Sequence, residues 1–198
     1  AVSDGAWGVQ LVFDNKVILG TRARKTRTKS FNAFSSIDYP ETAVFRDMRL
    51  IPFLRRPDPM PPVQFYEQLD PAVFVLRLVP GMRADIIPLL APHYRALVVE
   101  SFGVGGLPGG EHGEMYARLQ DWCTSGRLAV FTTQVPHEGC DLAVYEVGRS
   151  VKELPGVLEA KDMTPEAVAV KLMWALGQTT DRAEAMRLFT TPVEWDIV

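Results

Sequence analysis

The chain has 198 residues, 47% of them hydrophobic and 23% charged, enough to bury a sizeable core in one or two domains. A formal net charge of −3 argues against a general nucleic-acid-binding surface, and no apolar run approaches the roughly 18 residues that a membrane span requires. Two cysteines, Cys123 and Cys140, without Cys-x-x-Cys spacing, suggest reduced thiols in or near a core and neither a disulfide framework nor a zinc site. No signal-peptide pattern precedes the first strand, so a cytoplasmic protein is expected.

The opening residues Ala1 to Trp7 lack an initiator Met and read as the end of a helix running through a glycine turn into a strand. The run Val9 to Phe13, the pair Asp14-Asn15 and the return run Val17 to Leu19 predict a tight β-hairpin, because Asp and Asn tolerate the positive φ of a two-residue turn. A loop from Gly20 to Phe34 follows. It carries Arg22, Arg24, Lys25, Arg27 and Lys29, five cations within eight residues. Such a run is either a solvated surface loop or a segment that holds an anion or packs its stems.

Thr42 to Arg49 is mixed, and Leu50 to Phe53 predicts an edge strand stopped by proline. Arg55 to Pro62 then places four prolines in six residues, a stiff extended connector. The predicted division is residues 1–53 as the end of an N-terminal α/β domain containing the hairpin, 54–71 as the Pro-rich linker, and 72–198 as a smaller C-terminal α/β domain.

Beyond the linker, strands and helices alternate: strand Val73 to Leu78, helix Ala84 to Leu90, strand Ala96 to Glu100, helix Glu114 to Ser125, strand Leu128 to Thr133. These strands are near-continuous apolar runs, the pattern of a parallel sheet covered on both faces, so a doubly wound domain is predicted. Thr164 caps a predicted helix with Pro165 at its first position, its apolar residues recurring from Val168 to Leu176 before Gly177 stops the run. A final helix starts at Thr180-Asp181 and runs through Leu188. Met173 and Trp174 are expected in the core.

The glycine-rich loop from Gly103 to Gly110 lies between a strand and a helix, where doubly wound sheets bind ligands. It lacks the spacing of a nucleotide fingerprint and any P-loop lysine, so it reads as a shaped wall. His93, His112 and His137 have no paired ligand spacing, which argues against a metal. Ser101, in Glu-Ser-Phe-Gly, does not form a Gly-x-Ser-x-Gly nucleophile elbow.

The string Gly20-Thr21-Arg22-Ala23-Arg24-Lys25, followed by Ser30-Phe31-Asn32-Ala33-Phe34 and Ser35-Ser36-Ile37-Asp38-Tyr39-Pro40, resembles a segment of bacterial-type L-asparaginases. Thr21 stands where many members have Asn or Arg, and Asp38 where the family usually has Asn. The resemblance continues in register through Leu78-Val79-Pro80-Gly81-Met82, Glu100 to Pro108, Thr132-Thr133-Gln134, Tyr145 to Arg149 and Asp162 to Ala167. It covers nearly the whole chain and is most similar to the cytoplasmic, type I branch.

The resemblance implies that Lys25 is catalytic and that no cofactor is needed. It places Gly105, Gly106 and the Tyr145-Glu146 region beside the substrate site of a neighbouring subunit. Some bacterial members carry Asn at the position of Gly106. Glu146 is either a contact to the substrate amine or a surface carboxylate. The family's nucleophile, a Thr in a Thr-Gly-Gly-Thr string, and the Thr-Asp pair that works with the lysine occur nowhere in these residues.

Two functions follow. In the first, the chain is the C-terminal portion of an L-asparaginase, hydrolysing asparagine to aspartate and ammonia through a Thr acyl-enzyme once a further N-terminal segment or chain joins it, as a dimer or dimer of dimers. In the second, it is a non-catalytic asparaginase-like subunit or scaffold of an amidotransferase-type complex. The isolated chain is expected to be inactive, because nucleophilic catalysis needs the hydroxyl and its activating groups together.

Overall fold

A computed structural model describes residues 7–55, 58–59, 62–109 and 113–198 of the chain. The expected helix end at residues 1–6, His112 and part of the Pro-rich stretch lie outside the described residues.

The first layer is an antiparallel sheet built from two tight hairpins. Strands β1 (Gln10–Phe13) and β2 (Lys16–Leu19) pair in the register Phe13 to Lys16, with Asp14 and Asn15 at φ 50° and 59° as expected for a two-residue turn. A separate two-stranded ribbon joins β3 (Ala23–Lys25) to β4 (Phe34–Ser36), Lys25 standing opposite Phe34. The segment expected as a loop is therefore strand at both ends. Ribbon pairing accounts for this: it satisfies backbone groups that a free loop would leave to water. Strands β5 (Ala43–Arg46) and β6 (Arg49–Pro52) form the second hairpin through Asp47 and Met48, and the sheet order is β1-β2-β5-β6. The predicted edge strand is at the edge.

The linker's last residues are held. Gln178 Nε2 donates to Gln68 O at 2.8 Å, Asp70 N donates to Met173 O at 2.9 Å, and Tyr66 meets Trp174 edge-on, the ring centroids lying 5.3 Å apart. Met173 and Trp174, expected in the core, are half-buried at its rim because this returning chain covers them.

The second layer is a parallel sheet in the order β10-β9-β8-β7, with β7 (Val73–Arg77), β8 (Ala96–Ser101), β9 (Leu128–Thr133) and β10 (Val157–Glu159). The connecting helices are α1 (Ile86–Leu90), α2 (Glu114–Thr124) and α3 (Glu146–Lys152), and α4 (Pro165–Gln178) and α5 (Arg182–Thr190) follow. Successive crossovers step one way across the sheet, and their common right-hand sense puts α1, α2 and α3 on one face. There Leu97, Val99, Ala129 and Phe131 pack against Ile87, Leu119 and Trp122. The alternate residues Ala96, Val98, Leu128 and Val130 face Val168, Leu172 and Phe189 of α4 and α5. Every residue of β8 and β9 is buried, which is why both read as unbroken apolar runs.

Thr164 caps α4 as predicted, accepting from Ala167 N at 3.2 Å, and Asp181 caps α5 by accepting from Glu184 N at 2.7 Å. Gly177 does not end α4, which runs on to Gln178. A Cβ at Gly177 would lie 2.5 Å from Gln68 O, so this glycine admits the linker against the helix.

Candidate active site

The β3–β4 ribbon lies at the carboxyl edge of the parallel sheet, and Arg22 fastens it there. Arg22 is fully buried although the sequence places it among exposed cations. Its Nε donates to Trp195 O at 2.7 Å and its NH1 to Asp162 O at 2.8 Å, while NH2 lies 2.9 Å from Asp162 Oδ2. The guanidinium sits 5.1 Å from the centroid of the Tyr39 ring. Burial raises the Tyr39 hydroxyl pKa, and the Arg22 charge opposes that rise.

Two further contacts complete the joint. Thr164 Oγ1 donates to Thr21 O at 2.9 Å, and Arg24 Nε lies 3.5 Å from Glu166 Oε1. The turn from Asp162 to Glu166 thus starts α4 and also seats the ribbon.

Lys25 ends β3 with its side chain exposed, and its ammonium lies 6.0 Å from the Phe34 ring centroid. No ion pair to Lys25 forms among the described residues. Beside it, the Thr26 and Ser35 hydroxyls share a hydrogen bond of 2.9 Å across the ribbon, and Arg27 NH1 donates to Asn32 O at 3.1 Å. An ammonium left unpaired on a pinned strand can meet an incoming carboxylate or exchange a proton with a hydroxyl.

The neighbouring loops carry the other expected residues. After β8 the chain folds back through a bridge between Phe102 and Gly106, Gly106 N donating to Phe102 O at 2.7 Å and Gly105 taking φ 149°. This loop packs on the one after β9: Asp141 N donates to Val104 O at 3.1 Å and the Cys140 thiol to the same oxygen at 3.3 Å. Glu146 opens α3 with its side chain in solvent, a position that the helix dipole favours for a carboxylate. No hydrogen bond or ion pair links Lys25 to Gly105, Gly106 or Glu146 among the described residues.

A cross-link of another kind joins the two parts of the chain, the His137 ring Nδ1 standing 3.2 Å from Asp38 Oδ1. Sequence reasoning missed this pair and the anchoring role of Arg22. The departure of Asp38 from the family's usual Asn is the available signal for the pair, and nothing in the cation run singles out Arg22. No group of three or more His, Cys, Asp or Glu side chains among the described residues could hold a metal. Among them too, no helix is long and apolar enough to cross a membrane.

The chain is thus an α/β protein in which a pinned basic ribbon meets the carboxyl-edge loops of a parallel sheet, the place where such sheets generally bind ligands. Residues 72–189 match the glutaminase/asparaginase C-terminal domain and residues 1–56 the N-terminal asparaginase family, so the chain belongs to the asparaginase family. It is 34% identical over 194 residues to an L-asparaginase of Thermococcus kodakarensis, covering 96% of this chain and 57% of that protein. The solved structure of the thermostable L-asparaginase from that organism superposes with a TM-score of 0.89 over the same shares of the two chains. L-asparaginase I from Vibrio cholerae superposes at 0.83 with 25% identity, over 96% of this chain and 57% of that one. A glutamyl-tRNA(Gln) amidotransferase subunit from Metallosphaera sedula is 35% identical over 179 residues, 87% of this chain and 39% of that protein. The chain therefore spans roughly two-fifths to three-fifths of the length of these relatives.

Proposed function

We propose that these residues form the lysine-bearing portion of an L-asparaginase that hydrolyses L-asparagine to L-aspartate and ammonia. In this reading a Thr hydroxyl from sequence or a chain outside the 198 residues attacks the side-chain amide carbon, ammonia leaves, and water hydrolyses the resulting ester. Lys25 is the catalytic residue that this chain contributes, serving the proton transfers that make the hydroxyl nucleophilic. The observation that supports it is the placement of Lys25: an ammonium without an ion pair among the described residues, at the end of a strand whose neighbour Arg22 is locked into the C-terminal part.

Residues 1–53, 54–71 and 72–198 act in this reading as the end of a catalytic domain, its linker and a C-terminal domain. Gly105, Gly106 and Glu146 serve substrate binding across a subunit boundary in a dimer or dimer of dimers, in the cytoplasm and without a cofactor. The similarity to a glutamyl-tRNA(Gln) amidotransferase component favours one alternative, an asparaginase-like subunit or scaffold of such a complex.

The test compares Lys25→Met with Lys29→Met in the assembled enzyme. Lys25→Met lowers asparagine turnover by on the order of a hundredfold or more with little change in thermal midpoint, and Lys29→Met leaves turnover close to unchanged. Equal rates for the two variants refute the assignment of Lys25. The isolated chain releases no ammonia from asparagine. No ammonia release from asparagine even after a chain bearing the Thr-Gly-Gly-Thr segment is supplied, together with co-purification with other components of an amidotransferase, favours the second reading.

A further inference from the structure

The opposite, amino edge of the parallel sheet carries a second basic constellation that takes no part in the site above. A cleft of about 380 Å³ opens there between the segments entering β8 and β9 and the α4–α5 turn, lined among others by His93, Arg95, Ser125, Arg127, Asp181 and Arg182. Three guanidinium groups around one small cleft require charge compensation, and the three are compensated differently.

Arg95 is paired, its NH1 lying 2.6 Å from Asp70 Oδ2. Arg127 is pinned without a carboxylate: its Nε, NH1 and NH2 donate to Tyr94 O at 3.3 Å, Ser125 Oγ at 2.6 Å and Ala91 O at 2.8 Å. Its carbon Cζ stands 5.2 Å from the Trp122 ring centroid, which fixes the plane of the fork. Arg182 has no ion pair among the described residues, and its Nε and NH2 are out of solvent without a hydrogen-bond acceptor. Its guanidinium rests on the backbone of Gly156, where φ is 78° and a Cβ would meet Arg182 NH2, Cζ and Nε within 2.7 Å. A glycine at that position makes the seat for the guanidinium.

Among the described residues lining the cleft, Asp181 is the carboxylate; it caps α5 by accepting from Glu184 N at 2.7 Å and offsets only one of the two guanidinium charges that lack an ion pair there. Two positioned guanidinium groups without carboxylate partners in a cleft leave a local excess of positive charge on a chain whose net charge is −3. The donors that remain unused, Arg182 NH1 and the second N–H on each of Arg127 NH1 and NH2, can be given to the oxygens of a phosphate group, for which guanidinium groups are well suited. We propose that this cleft is a binding site for a phosphate-bearing small molecule, held by Arg127 and Arg182 and remote from the Lys25 ribbon.

The test uses the unmodified 198-residue chain at pH 7.5 with inorganic phosphate as the probe, against sodium chloride at matched ionic strength. Phosphate at about ten times its dissociation constant raises Tm by roughly 3–5 °C over the chloride control. In parallel, isothermal titration calorimetry with phosphate gives saturable one-site binding to the unmodified chain that sodium chloride does not reproduce. Arg182→Met abolishes both the Tm rise and the binding heat; should that variant fail to fold, Arg127→Met, with the same expected losses, decides. A Tm rise equal to that in chloride, or phosphate binding unchanged in a folded variant, overturns the site. An equal Tm rise with succinate at the same concentration overturns the assignment to phosphate in favour of carboxylates.

Discussion

Replacing Arg22 by Met keeps much of the aliphatic stem and removes every polar contact that joins the β3–β4 ribbon to the C-terminal sheet through this side chain. The losses are the 2.9 Å ion pair to Asp162 and the donations to Trp195 O and Asp162 O at 2.7 and 2.8 Å. Taking one partner from a buried pair costs about 3–5 kcal/mol, and each stranded buried carbonyl about 1–3 kcal/mol, though contributions inside one network do not add. Asp162 moderates the loss, because its side chain keeps 20% exposure and its Oδ1 still accepts from Val198 N at 3.0 Å. The expected cost is therefore about 3–4 kcal/mol, a large share of the roughly 5–15 kcal/mol typical of a folded domain. For a chain of this size it lowers Tm by roughly 6–16 °C.

Equilibrium urea unfolding followed by tryptophan fluorescence suits the measurement, because Trp7 and Trp195 lie 5.2 Å apart beside the joint. Combining Arg22→Met with Asp162→Asn closes a double-mutant cycle, with a coupling of about 1–3 kcal/mol expected for groups in direct contact. A loss below about 1 kcal/mol for Arg22→Met, or strict additivity in the cycle, refutes Arg22 as the anchor of the ribbon.

Thr164→Ala removes both the α4 cap and the donor to Thr21 O, so its urea midpoint falls by an amount corresponding to about 2–3 kcal/mol, while Thr164→Ser retains most of the stability. A Ser variant as unstable as the Ala variant would show that the hydroxyl is not the cause. Burial pushes the Cys123 thiol up to about 11 and the Cys140 thiol up to about 12, with Arg182 opposing the first and Glu159 adding to the second. Both thiols therefore resist a disulfide reagent at pH 8 in the folded protein and react fully in denaturant. The sign for stability follows: below the ordinary thiol pKa of about 8.5 both states hold the proton, and as pH rises toward 11–12 the unfolded state ionises first and stability declines. Rapid native labelling at pH 8, or stability that rises over that range, contradicts the burial of these thiols.

The lysine proposed for catalysis was singled out because it sits in a string of residues that resembles a family segment, and the glycine loop and Glu146 were put forward on the same ground. What the sequence could not express is which members of the cation run face inward. Arg22 and Lys25 are three positions apart at the start of one ribbon, yet Arg22 is fully buried and Lys25 is exposed. That difference depends on Asp162, Tyr39 and the Trp195 carbonyl, whose positions relative to Arg22 are set by chain up to 173 residues away. The Asp38–His137 contact and the arginine cleft are non-local in the same way.

Local chemistry determined the elements themselves. Asp14-Asn15 required a two-residue turn, Thr164-Pro165 and Asp181 began helices, and the unbroken apolar runs of β8 and β9 required a sheet covered on both sides. These signals act within a few residues, so they survive in the sequence as pattern. The strands at either end of the basic segment were not legible, because a three-residue strand is stabilised by its partner across the ribbon more than by its own propensity. Gly177 reads as a stop for the same reason in reverse: only the tertiary structure brings Gln68 against it, and the close approach of that backbone, not the end of a helix, accounts for the missing side chain.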